Sequence, residues 1–186
     1  MHENETYPYY LYNAIENPNV YVINGGIPSY TSSQVLAYLD EIIKKDKVRP
    51  DMILLNILWN DVWYSSIKNW HSDILIYQKP PEWMIFLMEH SVFINKLLMG
   101  NDGNLVNIKN APALKKYSEN IEKIIQLCQK YQIKIVLIQP PFDGSHMPEE
   151  GLNEFQVRYS KEFFINTARE YIAAMEAIAL RYKVNV

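Results

Sequence analysis

The chain contains one cysteine, Cys128, so it can form no internal disulfide and assemble no thiolate metal cluster. It lacks any uninterrupted apolar run near the roughly 20 residues that span a bilayer, which excludes an integral membrane segment as an expectation. Basic residues form no sequence cluster and the formal net charge is −3, so charge offers no support for a nucleic-acid partner. The opening residues M-H-E-N-E-T have neither the basic start nor the apolar core of a signal peptide. No internal repeat and no low-complexity tract occurs. What is present is globular in character: 186 residues, 48% hydrophobic and 21% charged, enough for one domain with a core of its own. Compartment is not legible.

Helical and strand patterns alternate along the chain. Residues 6–17 read as a short helix, with Thr6 as cap and Pro8 in a first turn that needs no N–H there. Residues 20–23, β-branched and aromatic, predict a strand that Asn24-Gly25-Gly26 breaks. Thr31 followed by Gln34 fits a capping box, and Val35, Leu39, Ile42 and Ile43 share one face of a helix ending near residue 47. Residues 52–58 form a nearly continuous apolar run between turn signals, the signature of a strand covered on both faces.

Residues 62–77 read as irregular with one helical turn, and residues 80–99 as a helix. Residues 113–131 are amphipathic, with Tyr117, Ile121, Ile124, Ile125 and Cys128 on one stripe, so Cys128 reads as a small core residue. A strand is expected over 132–139, a loop over 142–151, a long helix within 153–182 and a last strand over 184–186. This order predicts an α/β domain with a parallel sheet, and no linker divides residues 1–186.

Two strand ends carry the candidate chemistry. Ligands of open α/β sheets sit beyond the carboxyl ends of the strands. The first end reads Asn24-Gly25-Gly26-Ile27-Pro28-Ser29-Tyr30-Thr31-Ser32, and the second Leu58-Trp59-Asn60-Asp61, preceded by Pro50-Asp51. Asn and Asp also serve as plain turn and cap residues, and that reading of Asn60-Asp61 stands beside the functional one.

Together the two blocks resemble the SGNH (GDSL-type) hydrolases. Asn24, Gly26, Thr31 and Ser32 match the family's block after one strand, with Ser29 in place of its second glycine. Pro50, Asp51, Asn60 and Asp61 match a second block, with Leu58 in place of a glycine. Residues 86–98, with Glu89-His90-Ser91, look like a helix of bacterial members. The resemblance implies a three-layer α/β/α fold with a flavodoxin-like sheet. It also implies ester cleavage through a serine nucleophile, with the Gly26 N–H and the Asn60 side chain as oxyanion-hole donors. A small-molecule ester or an acylated carbohydrate would be the substrate, without a cofactor.

The departures matter equally. The family's G-D-S block occurs nowhere in the sequence, and its D-x-x-H block is missing beyond the last strand. The expectation is a domain truncated at both ends, with nucleophile and base outside it and the first strand missing between residues 20–23 and 52–58. Asp143-Gly144-Ser145-His146 matches D-x-x-H in letters but follows the wrong strand, and reads better as a rim loop. His2, His71 and His90 have no partners at metal-ligand spacing. Two further readings stay open: an O-acyltransferase acting on carbohydrate, and a non-catalytic α/β binding module.

Overall fold

In the computed structural model, which describes residues 6–45, 48–65, 111–142, 145, 150–152 and 158–186, the centre is a pair of parallel strands. β1 (Met52–Leu55) lies beside β2 (Lys134–Leu137) in the register Met52 to Lys134 through Leu55 to Leu137. The ladder extends at both ends, where Lys134 N–H donates to Asp51 O at 3.1 Å and Ile138 N–H to Leu55 O at 2.8 Å. On its other side β2 forms one parallel bridge, Val136 to Asn185, through Leu137 N–H to Asn185 O at 2.9 Å. The strand expected over 184–186 is thus a single bridge.

Four described helices precede β2: α1 (Tyr7–Ala14), α2 (Ser32–Lys44), α3 (Trp59–Tyr64) and α4 (Ala111–Lys130). After β2 come a small antiparallel pair, β3 (Glu150–Leu152) and β4 (Arg158–Ser160), and then α5 (Lys161–Tyr182). The described residues therefore form a mixed α/β fold with a two-stranded parallel sheet. The expected helix over 80–99 and the stretch 66–77 lie outside the described residues.

Each well-formed helix follows from its sequence. Gln34 Oε1 accepts from Thr31 N–H at 2.9 Å and from Thr31 Oγ1 at 3.1 Å, the cap pair that starts α2. At α5 the cap residue is itself the acceptor, Ser160 Oγ taking the Phe163 N–H at 3.2 Å. At the end of α4, Gln132 adopts a left-handed φ of 59° and Ile133 N–H turns back onto Cys128 O at 2.9 Å. That closes the helix and releases the chain directly into β2.

The core forms where α4 packs on α2 and α5, and α3 packs on α5 and α4. Tyr117, Ile121, Ile124, Ile125 and Cys128 of α4 are fully buried, as their stripe predicts. Leu39 and Ile43 meet them from α2, Leu55 and Leu137 from the strands, and Phe164, Ala168, Tyr171, Met175 and Ile178 from α5. Burial pushes the Cys128 thiol up to about 11, so it is a packed apolar group rather than a nucleophile.

Two sequence expectations fail. Residues 20–23 form no strand; Tyr21 and Ile23 are about four-fifths exposed, at 82% and 79%. β-propensity measures fit to a neighbouring ladder, and no described strand lies alongside to supply one. Residues 150 and 151, at the end of the loop expected over 142–151, instead join residue 152 in a strand that pairs with 158–160. Neither triplet has the β-branched alternation that marks a strand from sequence.

Because Ile125 is fully buried in the core, Ile125→Ala is expected to lower unfolding stability by about 2–5 kcal/mol in urea melts. Leu180→Ala, at a residue 82% exposed, is expected to stay within about 0.5 kcal/mol of the parent.

Candidate functional site

β1 is followed within three residues by α3, so the chain turns sharply at the carboxyl end of the sheet. Trp59, Asn60 and Asp61 fill the first turn of that helix. The three side chains have separate tasks.

Asp61 is almost fully buried, and its carboxylate faces the start of α2. Ser32 N–H donates to Oδ2 at 2.7 Å, and Ser32 Oγ–H donates to Oδ1 at 2.7 Å. From α4, Asn120 Nδ2 donates to Ser32 Oγ at 3.0 Å and to Ser33 Oγ at 2.7 Å. Ser32, Ser33, Asp61 and Asn120 are all buried. Three helices distant in sequence are thus joined by one polar cluster inside apolar surroundings. Burial raises the Asp61 carboxyl to about 6, against the opposing effect of the bonds from the Ser32 side chain and backbone.

Two tyrosines complete the surroundings. Tyr117 Oη–H donates to Ile57 O at 3.1 Å, and its ring lies 4.9 Å from that of Tyr171. The buried Tyr171 hydroxyl has no hydrogen-bond partner in bonding geometry among the described residues. Desolvation pushes both phenols far up, and the Asp61 charge adds to this, so both remain neutral.

Asn60 points to the preceding loop instead, where its Nδ2 donates to Tyr30 O at 2.8 Å. A carboxamide nitrogen carries two hydrogens, and the second has no hydrogen-bond partner among the described residues. Trp59 faces the other way. Its ring stands 5.2 Å from Phe142, just past β2, and stacks at 6.1 Å on Phe164 of α5.

Gly26 lies on the exposed loop ahead of α2, where its N–H donates to Asn24 Oδ1 at 3.0 Å. A methyl group at position 26 would stand 3.2 Å from that same oxygen and crowd it. Ser29, three residues on, has a φ of 65°, a conformation that favours glycine. Residues 26–32 therefore hold the Gly26 N–H, the left-handed Ser29, the Tyr30 acceptor and the Ser32 contacts to Asp61.

Of the loop at 143–146, Ser145 alone is described; it is exposed and its carbonyl accepts from Lys161 Nζ at 3.3 Å. Asp143, Gly144 and His146 lie outside the described residues, as do His71 and His90. No group of three His, Cys, Asp or Glu among the described residues is placed to hold a metal ion. No helix among the described residues is long and apolar enough to cross a membrane.

Sequence reading missed two things. It gave Asp61 no task, because Ser32 and Asn120 lie 29 and 59 positions away and no local spacing reports them. It also missed a groove of about 520 Å³ between α2 and α4, flanked by Lys44, Lys116, Lys123 and Lys130. The seven-residue spacing of the last three was visible, although Lys44 is already paired with Asp40 at 2.5 Å. No protein-family model, curated protein or solved structure matches the chain.

Asp61 gives a pH dependence with a defined sign. Its folded-state value of about 6 stands above the ordinary 3.8, so the folded protein binds the proton more tightly than the unfolded chain. The associated stability is full below about pH 4 and is lost as pH rises through about 6, a change on the order of 2–3 kcal/mol. Denaturant melts from pH 4 to 7 should show this loss, and Asp61→Asn should flatten it. Ser29→Gly is expected to raise stability by about 0.5–1 kcal/mol. It relieves a left-handed φ costing about 1–2 kcal/mol, offset in part by the entropy of glycine in the unfolded chain.

Proposed function

We propose that this chain carries the oxyanion-binding side of an SGNH-type ester hydrolase site, with the Gly26 N–H and the Asn60 carboxamide as donors. The observation that carries the proposal is the fastening of the β1 end onto residues 26–32. Asn60 bonds to Tyr30 and its neighbour Asp61 bonds to Ser32. Two blocks about 30 residues apart thereby meet at the carboxyl edge of the sheet. The left-handed Ser29, at a position where the family has glycine, supports the same reading.

In ester cleavage, attack on the carbonyl carbon moves an electron pair onto its oxygen. Donors fixed beforehand at roughly 3 Å from that oxygen stabilise it, and losing one typically costs about 10²–10³ in rate. Asn60 has one N–H free for this after its bond to Tyr30. Gly26 exchanges its exposed local bond to Asn24 for one to the oxyanion, an exchange involving a bond worth about 1 kcal/mol. The substrate class is a small ester or an acylated carbohydrate. No G-D-S block occurs in the 186 residues, so the proposal assigns this chain the oxyanion donors and neither the nucleophile nor the base. Triad residues act as a unit.

Titration of the ¹⁵N-labelled chain with methylphosphonate, a tetrahedral anion, tests the donor pair. The Gly26 amide and the Asn60 side-chain amide are expected to shift together with one dissociation constant, and Asn60→Ala should abolish the Gly26 response. Independent or absent shifts would remove the proposed hole. With p-nitrophenyl acetate the 186 residues are expected to give no turnover above background. Turnover that disappears in Ser145→Ala would instead place the chemistry in the 143–146 loop.

A further inference from the structure

Beyond the carboxyl end of β2 lies a groove of about 420 Å³ between residues 139–142 and α5. Its volume is in the range of small-molecule sites. Pro140, Pro141, Phe142 and Ile172 give it apolar surface, and the exposed Gln139, Arg169 and Glu176 give it polar lining. We propose that this groove binds a monocarboxylate with an apolar or aromatic body, the carboxylate on the Arg169 guanidinium and the body against the prolines and Phe142.

Four observations lead there. First, the two prolines have no N–H, so they give the groove apolar surface without a backbone donor. Second, Arg169 enters no ion pair and no hydrogen bond among the described residues, although Arg181 of the same helix is paired with Glu122. A guanidinium presents two parallel N–H groups that match the two oxygens of a carboxylate. Third, Glu176 is seven residues further along the helix, about 10.5 Å by helical rise. Its charge disfavours a second anionic group at the far end and so favours a monoanion over a dianion. Fourth, the floor is fixed. Phe142 rests against Trp59, and Trp59 stacks on Phe164, so the aromatic wall is braced from behind.

This places the groove one aromatic layer from Asn60, yet neither Gly26 nor Asn60 lines it. Ligand binding here holds whether or not the acyl chemistry takes place.

Calorimetric titration with 3-phenylpropionate tests the site, alongside its neutral amide and inorganic phosphate. The carboxylate is expected to bind saturably, with perturbed Phe142 and Ile172 amide resonances, and the amide to bind at least about tenfold more weakly. Arg169→Gln should weaken the carboxylate by about ten- to hundredfold. Arg169 is an exposed side chain, and an unchanged melting curve will show that the variant folds. Glu176→Gln is expected to admit 3-(4-carboxyphenyl)propionate, a dianion, several-fold more tightly than the parent does. Equal binding of acid and amide, indifference to Arg169→Gln, tighter binding of phosphate at the same resonances, or no saturable binding would each overturn the proposal.

Discussion

The site depends on a carboxylate held where water does not reach. Asp61 sits at the first turn of a six-residue helix, and both of its oxygens are bound by one residue, Ser32, at the start of another. Burying a charge is costly unless its oxygens are satisfied. Here the two donors from Ser32 oppose the desolvation, while Asn120 holds Ser32 and Ser33 from a third helix. Ser32 supplies both donors that face the Asp61 oxygens and is itself held by Asn120, so the cluster specifies one relative placement of α2, α3 and α4. Asn60, next to Asp61, inherits that placement, and so does the loop that carries Gly26.

An aromatic wall does for the other side of the turn what the polar cluster does for this one. Trp59, Trp63, Phe142 and Phe164 contact one another and tie the ends of β1 and β2 to α5. Ring contacts of this kind add to the area they bury and prefer tilted or offset geometries. The first turn of α3 is thus gripped on one face by hydrogen bonds and on another by rings. By contrast, the segment ahead of α2 keeps Tyr21 and Ile23 exposed and contributes little to the core. The buried Tyr171 hydroxyl, which has no partner in bonding geometry among the described residues, stands close enough to feel the Asp61 charge.

The sequence by itself determined the elements whose signals are local. The 3.6-residue stripes of α2 and α4 named the faces that are buried, and the apolar runs around 52–58 and 132–139 located the two paired strands. The Thr31–Gln34 cap was legible because both partners lie within one helical turn. Asn60 and Asp61 were marked as a strand end, whereas β1 ends at Leu55 and both stand in the first turn of α3. Only the tertiary structure decided what depends on a distant partner. Residues 20–23 have the composition of a strand, but a strand is completed by a neighbour, and β1 pairs instead with β2, some eighty residues away. Asp61 could be read as a turn residue until Ser32 and Asn120 were brought to it. Arg169 was one cation on a helical surface until the chain after β2 laid two prolines and a phenylalanine beside it. Periodicity states which face of an element is covered; it does not state by what, because packing partners are chosen by shape and hydrogen bonding across the fold.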